Sequence, residues 1–120
     1  MLRSTTGAIV GIILAALGTL AVAVPALGDE AATVTGKDLA FDRKKGNCLA
    51  CHMIDDGELP GNLGPPLLAM QLRFPDRDAL RKQICDATLR NSNSRMPPFC
   101  RHGILTVEEV GLIVDYLYTL

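Results

Sequence analysis

The sequence predicts a small all-α domain with long loops, standing behind an apolar N-terminal segment. Three observations carry that prediction. Apolar residues recur at helical spacing in two downstream stretches, and no stretch shows the period-two alternation of a half-buried strand. Between those stretches Gly and Pro punctuate the chain repeatedly, which marks loops. The whole chain is 120 residues, one domain's worth, so the core is thin and gains from a staple.

The first segment reads as an export signal. Arg3 is the only charge before Asp29, and the stretch from Gly7 to Gly28 is apolar or small throughout. A cationic start, an apolar run and a small-x-small ending (Ala26-Leu27-Gly28) are the parts of a secretory signal. The expectation is a signal peptide over 1–28 and a working domain over 29–120. Retention as a membrane anchor is the alternative, since the run approaches bilayer-spanning length. Pro25 and the small residues after it point to cleavage, which leaves no stable membrane span. The domain is then periplasmic.

Helix signals follow in order. Thr35 and Asp38 form a capping box before Leu39-Ala40-Phe41, a short helix broken near Gly46. Residues 55–66 (DDGELPGNLGPP) are loop, and 67–72 can form one helical turn. Phe74-Pro75-Asp76 opens a segment over 77–89, with Leu80, Ile84 and Thr88 or Leu89 on one face. Asn91 to Ser94 is a polar loop. Arg95-Met96-Pro97-Pro98-Phe99 must be extended, because a residue before Pro is pushed out of the α region. Thr106 and Glu109 cap a last helix whose stripe is Val110, Ile113, Val114 and Leu117.

Composition excludes some functions. Twelve Lys and Arg face thirteen Asp and Glu, a net charge of −1, so no basic field for nucleic acid exists. Aromatics are 4% and Trp is absent, which removes a base-stacking platform.

The chemistry lies in Cys48-x-x-Cys51-His52, the c-type haem attachment signature. Residues i and i+3 of a helical turn share a face, so two thiols can form thioethers with the two vinyl groups of one porphyrin. His52 then offers an imidazole nitrogen to the iron. A zinc site or a thiol redox pair can use the same residues. A thiol redox pair belongs in a βαβ context, which this chain lacks. A zinc site needs a fourth ligand from Cys85, Cys100 or His102.

For the sixth iron position the candidate is Met96, because Pro97 and Pro98 stiffen its loop and lower the entropic cost of holding a thioether. His102 and Cys100 are rivals. Met53 stands beside the proximal His, and Met70 reads as core filler. The carbonyl of Pro65 can accept the His52 Nδ1 proton and so fix the ring. Cys85 and Cys100 remain. In an oxidising compartment such a pair forms a disulfide, against free thiols or a bond to a partner.

The attachment motif, the Gly-Pro loop after it, the late Met-Pro-Pro and the capped last helix together resemble class I cytochromes c. Residues 46–120 resemble SoxX, the monohaem cytochrome family of sulfur oxidation. The matching stretches are GNCLACH (46–52), GELPGNLGPPL (57–67), RFPD (73–76), DAT (86–88) and MPPF with RHGILTVEEV (96–110). The resemblance implies one covalent haem c on Cys48 and Cys51, with His52 and Met96 as axial ligands. It also implies a heterodimer with a SoxA-type cytochrome. That complex, an L-cysteine S-thiosulfotransferase, couples thiosulfate to a cysteine of the carrier SoxYZ and releases two electrons. The catalytic residue is expected on SoxA, so none falls in this chain. Its own part is to pass electrons to a downstream acceptor. The Cys85 and Cys100 pair departs from the family pattern.

Three other functions compete. A free-standing monohaem shuttle needs the same six-coordinate haem but no SoxA. A haem enzyme such as a peroxidase needs an open iron position, with Arg95, Arg101 and His102 as its nearest polar groups. A thiol or zinc module needs no haem.

Overall fold

The computed structural model describes residues 33–55 and 57–120. The predicted signal segment, 1–28, lies outside the described residues. Four α-helices appear: α1 (Gly36–Phe41), α2 (Met70–Arg73), α3 (Arg77–Cys85) and α4 (Val107–Leu117). Two 3₁₀ turns, Cys48–Ala50 and Ala87–Leu89, join them. Among the described residues there is no strand, only one parallel bridge between Ile54 and Leu67. None of these helices is long and apolar enough to cross a membrane. Among the described residues the domain is all-α.

Both capping boxes form. At α1 the Thr35 hydroxyl accepts from the Asp38 N–H, and the Asp38 carboxylate accepts from the Thr35 N–H. At α4 Thr106 and Glu109 exchange the same pair of bonds. Each box satisfies two backbone donors that the helix start leaves open.

α4 is the spine. Its predicted stripe, Val110, Ile113, Val114 and Leu117, is buried in full. α1 and α3 both pack against it. Gly36 starts α1 so close to α4 that a Cβ there would strike the Leu112 carbonyl. No side chain fits that approach, so Gly is required. Leu39 and Ala40 of α1, Leu80 and Ile84 of α3, and Met70 of α2 complete the core with Phe99 and Leu105. The end of α4 is tied down by polar contacts. The Tyr118 hydroxyl donates to the Phe74 carbonyl at 2.5 Å, Gln71 donates to the Tyr118 carbonyl, and Arg77 pairs with Asp115.

Some local expectations differ from the structure. The segment over 77–89 breaks at Asp86, which leaves the helix to cap Thr88 through its carboxylate. Its predicted face ends at Ile84, and Leu89 is exposed. The turn expected at 67–72 begins only at Met70, because Leu67 is held in the bridge to Ile54 and Ala69, the N-cap, stands in the left-handed region at φ 49°. Cys85 and Cys100 are bonded to each other, with Cα atoms 4.7 Å apart. Closing a loop of separation 15 stabilises by about 3 kcal/mol in the chain-entropy account.

Candidate haem-binding site

Asn47 stands in the left-handed region at φ 45°, which Asn tolerates better than most residues. It turns the chain into the Cys48–Ala50 3₁₀ turn, where the Cys51 N–H bonds to the Cys48 carbonyl at 3.1 Å. The His52 N–H reaches the same carbonyl at 2.9 Å. The sequence pointed to an α-helical turn. The 3₁₀ form is tighter, and there i and i+3 eclipse, so both thiols still share a face.

A cavity of about 740 Å³ opens beside this turn. Cys48, Cys51, His52, Pro65 and Met96 all line it. Residues far apart in sequence are thereby brought to one cavity. The core supplies its floor through Ile113 and Leu117 of α4. Arg43, Lys44, Lys45, Arg73 and Arg95 also line it, and no Asp or Glu does among the described residues. The site is therefore cationic in a chain whose net charge is −1.

The loop after the motif grips it through the backbone. The Gly61 N–H donates to the Leu49 carbonyl, Gly64 to Cys51, and Leu67 to Met53, each at 2.8 Å. The Pro65 carbonyl lies 2.7 Å from His52 Nδ1. With that nitrogen donating, Nε2 carries the imidazole's free lone pair. Gly64 packs on the ring itself, and a Cβ there would collide with it.

Met96 is half-buried, and its N–H donates to Ser94 Oγ at 3.2 Å. The rivals stand elsewhere. His102 is exposed and does not line the cavity. Cys100 is spent in the disulfide. Met53 is exposed. Met70 is buried at the wall, where its sulfur accepts from Arg73 Nη1 at 3.6 Å.

These residues suit a haem. The cavity falls in the size range of ligand pockets, roughly 300–1,000 Å³. Cys48 and Cys51 both face it unbridged. A cationic rim matches a group that carries carboxylates. The zinc alternative has no cage: among the described residues no three His, Cys, Asp or Glu side chains converge. Burial pushes the Cys48 thiol up to about 11. A redox-active dithiol needs the opposite, a lowered value that exposes thiolate.

Comparison with known proteins decides the family. The family model described as cytochrome c oxidase, cbb3-type, subunit III matches residues 31–117. The chain belongs to that cytochrome c family. As a c-type cytochrome it binds haem c covalently and serves electron transfer. This cytochrome is also similar to an uncharacterized lipoprotein of Aquifex aeolicus (strain VF5), 38% identical over 76 residues. That match covers 62% of this chain and 37% of the relative's length. The Cys85–Cys100 disulfide belongs to an oxidising compartment, in keeping with an extracytoplasmic cytochrome.

Three features of the site escaped the sequence reading. Gly64 against the His52 ring was legible only as part of a Gly-Pro loop. Arg73 donates from Nη1 to the Pro66 carbonyl at 2.7 Å and so holds the proximal loop from α2. The cationic rim gathers residues from three separate stretches, and no local pattern announces it.

Proposed function

We propose that this cytochrome is the electron-relay subunit of a periplasmic, SoxAX-type thiosulfate-oxidising complex, with His52 and Met96 as the axial ligands. The observation that carries the relay is the gathering of Cys48, Cys51, His52 and Met96 on one cavity. The Sox assignment rests on the stretches GELPGNLGPPL and RHGILT, in that order.

Haem c bound here supplies a one-electron ferric–ferrous couple. The chain supplies the rest. Cys48 and Cys51 would hold the porphyrin by thioethers. Pro65 fixes the His52 ring, its tautomer and its basicity. The apolar floor of Ile113 and Leu117 would limit water inside the cavity. Met96 would supply its thioether as a further ligand to the iron, which would exclude external ligands and raise the potential. In the proposed complex the sulfur of thiosulfate bonds to a carrier cysteine, the thiol proton leaves, and two electrons depart. This chain passes them on one at a time.

The test is purification from the native periplasm without denaturant. Oxidised and reduced spectra are recorded with the masses of all co-purifying chains. A Met–ferric band and a stoichiometric second haem protein support the reading. The same spectrum on a lone chain makes it a free-standing shuttle. Co-purification with a terminal oxidase would instead follow the description of its family.

A further inference from the structure

We propose that the Cys85–Cys100 disulfide is the positioning element of the Met96 segment. It holds the thioether at the cavity wall, and its loss frees the thioether while the helices stay folded. The inference rests on the reading of Met96 as an axial ligand.

The bonding of the segment is the reason. Between α3 and α4 the chain has only one short turn, Ala87–Leu89, and is otherwise a long loop. Among the described residues, the hydrogen bonds of 91–98 are all local. Asn91 donates to Ala87 at 3.1 Å, Ser94 to Asn91 at 2.9 Å, Asn93 to the Asn91 side chain at 3.0 Å, and Met96 to Ser94 at 3.2 Å. The His102 N–H closes on the Pro98 carbonyl at 3.0 Å. None of these ties Met96 to a helix.

Every polar link from this loop to α3 converges on one place. The Cys100 N–H donates to the Cys85 carbonyl at 3.1 Å. Arg101 pairs with Asp86 at 3.4 Å and approaches Thr88 Oγ1 at 3.5 Å. Arg101 is exposed, so that pair is screened and contributes little. Phe99 is buried in the core and Met96 itself packs half-buried against it, so the loop is also anchored apolarly. The covalent bond is the strong link, and it sits just beyond Met96-Pro97-Pro98. The two prolines are stiff, so a fixed Cys100 fixes Met96 through them. The helices do not depend on it in the same way, since α1 and α3 pack on α4 through their own apolar faces.

The test uses the holoprotein and the Cys85→Ser/Cys100→Ser double variant. The readouts are the Met–ferric band, the pH at which that band is lost, the rate of cyanide binding to the ferric iron, and helix content. Local opening of the loop should speed cyanide binding by about tenfold or more and let the band fail at lower pH, with helix content unchanged. Leu39→Ala is the control, a core change in α1 that does not line the cavity. It should lower thermal stability without moving band or cyanide rate. Cyanide rates within twofold of the parent, or an equal effect from Leu39→Ala, overturn the proposal. If the double variant does not accumulate, the parent is reduced with a phosphine, alkylated, and its iron reoxidised with ferricyanide before the same readouts. Met96→Ala separates the two claims. If it leaves the parent's band unchanged, the ligand reading fails. If it abolishes the band while loss of the disulfide changes nothing, only the tether fails.

Discussion

The segment that presents His52 and the segment that presents Met96 wall the same cavity by different means. His52 follows directly on the turn that carries Cys48 and Cys51, and three backbone bonds of 2.8 Å clamp the following loop against that stretch. A fourth bond, from Nδ1 to Pro65, holds the ring, and Arg73 holds Pro66. Met96 has turn bonds that reach only near neighbours, half-buried packing against the core, two prolines, and a disulfide just beyond. The first segment is redundant, so no single bond decides it. The second concentrates its restraint in few places. Perturbation should therefore reach the Met96 side first.

Ile113→Ala should have the largest effect. Ile113 is fully buried on α4 and forms part of the floor beneath both segments. Truncation should cost about 2–5 kcal/mol in chemical denaturation, and it should blur the contrast by loosening both walls. Gly64→Ala is aimed at the His52 side alone. Its Cβ would meet the His52 ring, and the expected cost is on the order of 1–3 kcal/mol. Haem content should fall with thermal stability. A variant with normal haem content and unchanged stability would show that the ring can shift at no cost.

Ser94→Ala sharpens the other side. It removes the acceptor of the Met96 N–H, worth about 0.5–1.5 kcal/mol. The Met–ferric band should weaken or fail at lower pH while haem attachment stays complete. Acid gives the smallest and most local effect. The Thr88 hydroxyl, then the Thr88 N–H and the charges of Arg101 and His102, hold the Asp86 carboxyl below the usual carboxylate range. A carboxyl lowered in the folded state stabilises above its unfolded value, and that contribution is lost as pH falls through the folded one. Below about pH 4 the knot at Asp86, Thr88 and Arg101 should loosen. The Met–ferric band should respond before helix content does. Asp86→Asn should remove that acid step. Survival of the step in Asp86→Asn would assign it to Asp38, Glu108 or Glu109, whose carboxyls are also lowered.

Much of this was legible in the chain itself. Both capping boxes, the α4 stripe and the attachment motif are local patterns, set by residues within one or two turns of each other. The pairing of Cys85 with Cys100 followed from compartment and count rather than from geometry. Boundaries fared less well. Asp86 ends α3 because its carboxylate prefers the Thr88 N–H to a helical position, a competition that apolar spacing does not register. Leu89 then falls on the exposed side of that break.

Local sequence singled out the candidate residues, two thiols and an imidazole on one turn and a thioether before two prolines, and the caps that start the helices. Packing between distant segments is what brings them to one cavity. Packing of α1 and α3 on α4 draws distant loops around one apolar floor, and it leaves His102 outside and Met96 within. That outcome depends on contacts between residues far apart along the chain, such as Gly36 against Leu112 and Gly64 against His52. Steric fit of this kind has no period and no spacing by which a linear sequence can announce it.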